Sequence, residues 1–280
     1  MIILNGKCYA SELRKSLKDV VASSGISPKL CIINIGDDDA SQVYVRNKEK
    51  ACNEVGIVCE IKHFDANISE VKVLEYIYEV NNDALVDAVM VQLPIPQHLN
   101  VDKIINSIAP EKDVDGLTYV NAGMLQHKNA DALIPCTPLG IVKLLKHYNI
   151  DLCGKHCVVI GRSNIVGKPL TELLINEDAT VTVCHSKTKD LCDITRDADI
   201  VIVALGRPNF LKGYFVKDGA VVIDVGINRT ENGICGDVDF EDVKSKCSYI
   251  TPVPGGVGPM TVAMLLHNTV MAAFNRREHE

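Results

Sequence analysis

The chain has 280 residues, 47% of them hydrophobic and 23% charged, which suits one large domain or two of ordinary size with a full core. Its net charge of -7, with no long single-sign block and no basic patch, argues against nucleic acid or an anionic membrane as a partner. No continuous apolar run approaches the roughly 18 residues of a membrane span, and the start "MIILNGK" has no basic signal segment, so a cytoplasmic location is expected.

The first strong signal is "KLCIINIG" (29–36), a continuous apolar run that predicts a buried strand. The stretch "SQVYVRNKEKACNEVGI" (41–57) follows and predicts a helix, with Asp39 and Gln42 as its capping signal. On it Tyr44, Lys48, Ala51 and Val55 fall at i, i+4, i+7 and i+11, the spacing of a core-facing stripe. Glu49, Lys50, Asn53 and Glu54 form the polar face. Spacing therefore turns Lys48 inward. Such a lysine can merely lay its stem over apolar surface, or it can face a group that needs it.

An amphipathic helix over 70–80 leads to a second strand, "DAVMVQLP" (87–94), which places Gln92 at its carboxyl end before the Pro-stiffened "LPIP". In "EKDVDGLT" (111–118), Asp113 and Asp115 lie in a turn before Gly116. The plain reading is a strand-capping amide and a solvated acidic turn. Taken with the helix, the same stretches supply a tyrosine, a lysine, an amide and a carboxylate to one crevice.

A helix over 137–147 opens the second half. Runs at 156–163, 179–186, 198–206 and 220–228 are again continuously apolar and Val/Ile-rich. Strands alternating with helices predict an α/β fold of doubly wound parallel sheets. Two α/β domains are expected, at 1–122 and 123–260, the first completed by the apolar C-terminal helix 261–280. The 11 cysteines show no C-x-x-C; Cys31, Cys157 and Cys184 lie in apolar runs and read as buried thiols of a reducing compartment, with no metal expected.

"VVIGRSNIVGKPLTELLI" (158–175) reads as strand, Gly turn and helix, whose opening amides form an anion site. It departs from the dinucleotide fingerprint: Ser163 replaces the middle glycine, and Gly167 falls one residue late. The strand end about 20 residues on carries Cys184, His185 and Ser186 rather than an acidic residue. With Arg162 in the loop, this favours a 2′-phosphate, hence NADP rather than NAD. Gly206 and Gly226, at later strand ends, are expected to let a ligand approach the backbone. "TPVPGGVGPMTVAML" (251–265) is a rigid Pro/Gly loop entering a helix. It is either a linker or a surface pressed on a flat ligand.

Together "YVRNKEKACNEVGI", "VQLPIP", "PEKDVDGLT", "NAGML", "PCTPLGIVKLL", "GRSNIVGKP", "CHSKT", "DVGIN" and "TPVPGGVGPMTVAML" resemble one family, the bifunctional methylenetetrahydrofolate dehydrogenase/methenyltetrahydrofolate cyclohydrolases. The motifs recur in family order from residue 41 to 265, and "PGGVGPMT" and "KDVDGLT" are far more specific than the glycine loop. The resemblance implies two α/β domains around a cleft, the second a Rossmann-type NADP domain through which a homodimer forms. It implies oxidation of methylenetetrahydrofolate by NADP+, then hydrolysis of the methenyl product to 10-formyltetrahydrofolate. By similarity Tyr44, Lys48, Gln92 and Asp115 are catalytic and bind folate together with Leu93, Pro254, Gly255 and Gly256. Gly161, Arg162, Ser163, Ser186 and Ile227 fall on the NADP site.

The chemistry fits these residue types. Hydride transfer mainly needs two rings held face to face. Hydration of the methenyl cation needs a proton-transfer group, and a lysine serves when desolvation and an adjacent cation favour its neutral form. A short-chain dehydrogenase also uses a Tyr-x-x-x-Lys pair, but with its glycine loop first; here Tyr44 precedes Gly161. A family member with the dehydrogenase alone, or a non-catalytic NADP sensor, would not need both Lys48 and Gln92.

Overall fold

The computed structural model describes residues 1–231 and 233–278. Its strands are β1 (Ile2–Ile3), β2 (Lys29–Ile35), β3 (Val58–Phe64), β4 (Ala88–Val91), β5 (His156–Ile160), β6 (Thr180–Cys184), β7 (Ile200–Val203), β8 (Val221–Asp224), β9 (Asn228–Thr230), β10 (Gly233–Cys235) and β11 (Tyr249–Ile250). The α-helices are α1 (Gly6–Ser24), α2 (Asp39–Val55), α3 (Glu70–Asn82), α4 (Val101–Ile105), α5 (Tyr119–Gln126), α6 (Cys136–His147), α7 (Gly167–Asn176), α8 (Leu191–Arg196), α9 (Phe240–Val243) and α10 (Val257–Glu278).

The chain divides into two compact units. One is Glu12–Cys136 with Val262–Glu280, of which 279 and 280 lie outside the described residues; the other is Met1–Ser11 with Thr137–Thr261. The sequence reading groups residues 1–11 with the first unit. In the structure β1 pairs with β11 in the sheet of the second. A two-residue strand carries too little pattern to reveal its partner, which is set by non-local pairing.

The first unit is built on a parallel sheet ordered β3-β2-β4. β2 is its middle strand and is buried from Leu30 to Ile35, which explains the unbroken apolar run. β3 is an edge strand, and its residues alternate between exposed and half-buried. Its sequence mixes Glu60, Lys62 and His63 with apolar residues, so no apolar run announces it. An isolated parallel bridge joins Val89 of β4 to Asp113, extending the sheet by one more segment. Val73, Ile77 and Val80 of α3 pack with Cys31, Ile33 and Val89 in one buried cluster.

α10 ends this unit. Averaged over Val257–Arg277 it is long and apolar enough to cross a membrane, although His267, Asn268 and Thr269 break the continuous run. The stretch is mostly buried, with Met264, Leu265, Leu266, Val270 and Ala273 almost inaccessible. It is a core helix. Asn268 Nδ2 donates to the carbonyls of Val114 (2.9 Å) and Ile134 (2.8 Å), and Arg277 pairs with the fully buried Asp87 at 2.9 Å.

The second unit holds a six-stranded parallel sheet ordered β1-β11-β8-β7-β5-β6. The chain leaves β5 to form β6 on one side and then returns to form β7 on the other. β5 therefore marks the topological switch point, where ligands bind beyond the carboxyl ends of such sheets. Val158, Ile160, Val201, Val203 and Val222 lie in its buried core. β9 and β10 form a short antiparallel hairpin. No disulfide joins any of the eleven cysteines, and Cys31, Cys157 and Cys184 are buried.

Candidate active site

In the first unit the candidate residues leave the carboxyl ends of β2 and β4. α2 follows β2 after the Gly36 turn, and its N-cap is Asp38, whose carboxylate accepts from Ser41 N–H at 2.7 Å. The cap therefore falls one residue before the expected Asp39, which is already helical. The buried positions of α2 are Ser41, Val45, Ala51, Cys52 and Val55. Lys48 falls within that arc. Tyr44 does not belong to the core stripe: it stands at the margin, 39% exposed. At 100° per residue Tyr44 falls between the buried Val55 and Ala51, so its exposure reflects its place near the start of α2 rather than its angle on the helix.

Lys48 Nζ donates to Gln92 Oε1 at 2.9 Å and lies 3.6 Å from Met90 Sδ. Gln92 is buried, and its Nε2 donates to the carbonyl of Leu93 at 2.6 Å, which fixes the amide with its oxygen toward the lysine. Pro94 follows through a cis peptide bond.

Asp115 reaches the same place through the sheet. Asp113 is bridged to Val89 of β4, and Asp115 follows in the turn closed by Gly116 N–H donating to the Asp113 carbonyl at 3.0 Å, near enough to Lys48 to feel its charge. Desolvation pushes the Asp115 carboxyl above its usual range and the nearby Asp113 adds to this, while the Lys48 ammonium pulls it down. The Cys136 thiol lies 3.8 Å from Asp115 Oδ1 and donates to the Val114 carbonyl at 3.3 Å. Burial, reinforced by the Asp115 charge, raises that thiol. Asp113 is buried and holds the turn, accepting from Thr118 N–H (2.8 Å) and Asn121 Nδ2 (3.1 Å). Lys48, Gln92, Leu93 and Asp115 are thus brought together, with Tyr44 one turn before the lysine. Met90, Cys136 and Asn268 are neighbours that no local pattern announces.

Pro254, Gly255 and Gly256 belong to the second unit. There Pro254 follows a cis peptide, Gly255 has φ +109°, and its carbonyl accepts from Lys7 N–H at 2.9 Å.

The second unit carries the glycine loop after β5. Gly161 has φ +129°, and a Cβ there would lie 2.3 Å from the Ala204 carbonyl oxygen. A Cβ on Gly167 would lie 2.2 Å from the Gly161 carbonyl oxygen. Helix and strand ends thus approach as closely as a phosphate loop requires, without the standard fingerprint. The expected amide anion site is modified, however. Ser163 Oγ accepts from the N–H groups of Val166 (3.2 Å) and Gly167 (3.4 Å), so a serine side chain closes the loop that leads into α7. The serine that replaces the fingerprint's middle glycine has its own structural task.

Arg162 is exposed, and Lys168 Nζ donates to Asn164 Oδ1 at 2.7 Å across the loop. Ile160 pairs with Cys184, and Gly161 N–H donates to the Cys184 carbonyl at 2.9 Å. Arg162 and Ser186 therefore leave adjacent strand ends. Ser186 is at the exposed tip of a tight turn closed by His185 N–H donating to Thr188 Oγ1 at 2.8 Å. Ile227, 47% exposed, follows β8. Gly226 does not make room for a ligand as expected: a Cβ there would fall 2.4 Å from the Asp237 carboxylate. The cradle, the exposed guanidinium and the serine turn fit a dinucleotide carrying an extra phosphate.

Fold and site together define a two-domain α/β protein, one unit built like a dinucleotide-binding domain and the other gathering Lys48, Gln92 and Asp115 at its strand ends. Comparison with known proteins gives this class a family. The model for the tetrahydrofolate dehydrogenase/cyclohydrolase catalytic domain matches residues 4–115, and that for the family's NAD(P)-binding domain matches 135–277. The bifunctional protein FolD of Campylobacter hominis is 53% identical over 280 residues, 99% of this chain and 98% of that protein. The crystal structure of the bifunctional FolD methylenetetrahydrofolate dehydrogenase/cyclohydrolase from Campylobacter jejuni superposes with a TM-score of 0.97 at 51% identity, covering 99% of each chain. The Trypanosoma brucei enzyme, solved with NADP cofactor and an inhibitor, gives 0.94 at 38% identity over 99% of this chain and 98% of that one. The chain belongs to the tetrahydrofolate dehydrogenase/cyclohydrolase family. It is a bifunctional dehydrogenase and cyclohydrolase of tetrahydrofolate derivatives, with an NAD(P)-binding domain.

Proposed function

We propose that the chain oxidises 5,10-methylenetetrahydrofolate with NADP+ and then hydrolyses the 5,10-methenyl product to 10-formyltetrahydrofolate, with Lys48 as the proton-transfer group of hydration. The observation that carries this reading is the 2.9 Å hydrogen bond from Lys48 Nζ to Gln92 Oε1 at the carboxyl end of β4. It aims the lysine at a place where Asp115 supplies a carboxylate.

Bound NADP+ would supply the hydride acceptor. Gly161, Arg162, Ser163, Ser186 and Ile227 would hold it, Arg162 and Ser186 meeting the 2′-phosphate. The methenyl product is a delocalised cation. Water adds to its one-carbon centre, the adduct gives up a proton, and one C–N bond takes up a proton as it opens. Lys48 accepts and returns that proton as the general base and acid of the step. Gln92 orients the amine and Tyr44 shields the folate ring. Asp115 receives the paired N–H donors of the pterin's amino-pyrimidine edge. Leu93 completes the folate contacts of the first unit.

The reading includes a homodimer through the cofactor unit, supported by β6, an edge strand whose ladder groups are open to pairing. It includes a cytoplasmic setting, supported by eleven cysteines without a disulfide. The test is to mix the protein with methylenetetrahydrofolate and NADP+ and follow methenyl absorbance. A rise followed by decay to the formyl product is expected. A rise with no enzyme-dependent decay would remove the cyclohydrolase, and no rise at all would remove the whole reading.

A further inference from the structure

The loops at the cofactor end of the second unit are organised by a carboxylate that contacts no cation among the described residues. Asp237 is fully buried. Its Oδ2 accepts from the N–H groups of Leu205 (2.6 Å) and Gly206 (2.9 Å), and its Oδ1 accepts from Arg207 N–H (2.8 Å) and Asn228 Nδ2 (2.8 Å). Three successive amides of the turn after β7 thus wrap one side chain, as a backbone nest wraps an anion. Asp224 fixes Asp237 in turn. Its oxygens accept from the N–H groups of Gly226, Asp237 and Val238, each at 2.9 Å. The space is filled to the limit, since a Cβ on Gly236 would fall 1.8 Å from Asp224 Oδ2.

The consequences reach the cofactor residues on two sides. The turn at 205–207 begins at Ala204, whose carbonyl packs on Gly161 and whose N–H donates to the Ile160 carbonyl at 2.8 Å. On the other side Asn228 is the immediate neighbour of Ile227. One carboxylate therefore sets the turn against which Gly161 packs and the segment that presents Ile227. Its engagement also leaves the N–H groups of 205–207 turned to Asp237. The outer side of the turn is open, for a Cβ at Gly206 would meet nothing within 4 Å.

We propose that Asp237 is a positioning residue of the cofactor site, holding the 205–207 turn and the Ile227–Asn228 segment in the arrangement that binds the dinucleotide. This rests on the reading of the second unit as the NADP site. An amide at 237 would keep one accepting oxygen and turn donors toward backbone donors, so the turn would have to move.

The experiment uses the full-length protein and Asp237→Asn. The unsubstituted chain must first reduce NADP+ with methylenetetrahydrofolate; failure there would overturn the cofactor reading itself, before any variant is made. In Asp237→Asn the KM for NADP+ and the Kd for NADPH, read by its fluorescence, should rise about tenfold or more. Hydrolysis of supplied methenyltetrahydrofolate, which uses no cofactor, should stay within about twofold, as should kcat at saturating NADP+. Should that variant not fold, Asn228→Ala removes one of the four bonds and should raise the KM about threefold with hydrolysis unchanged. Unchanged NADPH affinity, or a parallel fall in both activities, would overturn the positioning role.

Discussion

Lys48 and Gln92 stand 44 residues apart in sequence and are joined by a 2.9 Å hydrogen bond between Nζ and Oε1. The bond is oriented from both sides: Gln92 Nε2 is held by the Leu93 carbonyl, and the lysine stem lies within the buried arc of α2. Because the amide accepts from the amine without contributing charge, it can direct the nitrogen whether that nitrogen is protonated or neutral.

Replacing Lys48 with Met keeps the length of the stem and removes the proton-transfer group. Methenyl hydrolysis should fall by about 10²–10⁴, the usual range for a general acid–base group, while hydride transfer at saturating substrate falls far less. The two reactions can be followed separately by methenyl decay and NADPH formation. Near-normal hydrolysis in Lys48→Met would eliminate the assigned role.

Arg162→Ala should discriminate between cofactors. Loss of the proposed charge-assisted contact to the 2′-phosphate should raise the KM for NADP+ by about 10–100-fold and weaken NAD+ binding far less. Equal losses for both cofactors would take the guanidinium away from the 2′-phosphate.

Asp115→Asn should raise the folate KM about tenfold or more in both reactions, because both begin with the same pterin contact. The wild-type pH dependence carries a further sign. On the proposed reading binding uses the carboxylate, and desolvation raises the Asp115 pKa above the ordinary range of aspartate. Folate affinity should therefore fail at a less acidic pH than a solvated aspartate would give. A folate KM constant down to the ordinary aspartate range would contradict the assignment.

Asp224 links stability to pH. Burial pushes its carboxyl up to about 6, against three backbone N–H bonds that oppose the rise. An unfolded aspartate titrates near pH ~3.9. Between these values the folded state holds the extra proton, so this group's contribution is fully present below the unfolded value and is lost as pH rises through about 6. Its full loss costs on the order of 3 kcal/mol, roughly half of it between pH 5 and 7.5. Urea unfolding at pH 5 and 7.5 should show that difference shrinking in Asp224→Asn relative to wild type. Identical pH dependence in the two proteins would refute it.

Lys112 is a structural counterpart to Lys48. It is buried, and its Nζ donates to the carbonyls of Val80 (3.0 Å), Asn81 (2.8 Å) and Asp83 (2.8 Å), closing the carboxyl end of α3. Lys112→Met leaves these acceptors without their donor and should cost about 2–3 kcal/mol. Both activities per folded molecule should be retained. A melting temperature equal to wild type would show that water replaces the ammonium without loss.

These two lysines mark the limit of local pattern. The motif "EKDVDGLT" contains Lys112, Asp113 and Asp115, and local pattern, apart from the family resemblance that points to Asp115, does not tell which acts on a ligand. The tertiary structure sends Lys112 to a helix end, Asp113 into its own turn and Asp115 toward Lys48. Tyr44 shows the same limit on α2: its i, i+4 relation to Lys48 was legible, its exposure was not. β3 escaped detection because an edge strand need not be apolar on both faces. The burial of Asp224 and Asp237 had no local signal, since their donors come from turns up to 32 residues away.

What the sequence determined by itself is whatever depends on period and local stereochemistry. Continuous apolar runs gave the central strands of two parallel sheets, helical spacing turned Lys48 inward, and the glycine and proline motifs marked the ligand ends of strands and carried the family resemblance. Only the tertiary structure decided which polar side chains meet, since hydrogen bonds between distant segments depend on strand order and register. It brought Gln92 to Lys48, tied Ser163 into the loop before α7, and gave Gly226 to a buried aspartate rather than to a ligand. The physical reason is that burial makes each polar group find a specific partner, and the partner's position is a property of the whole fold.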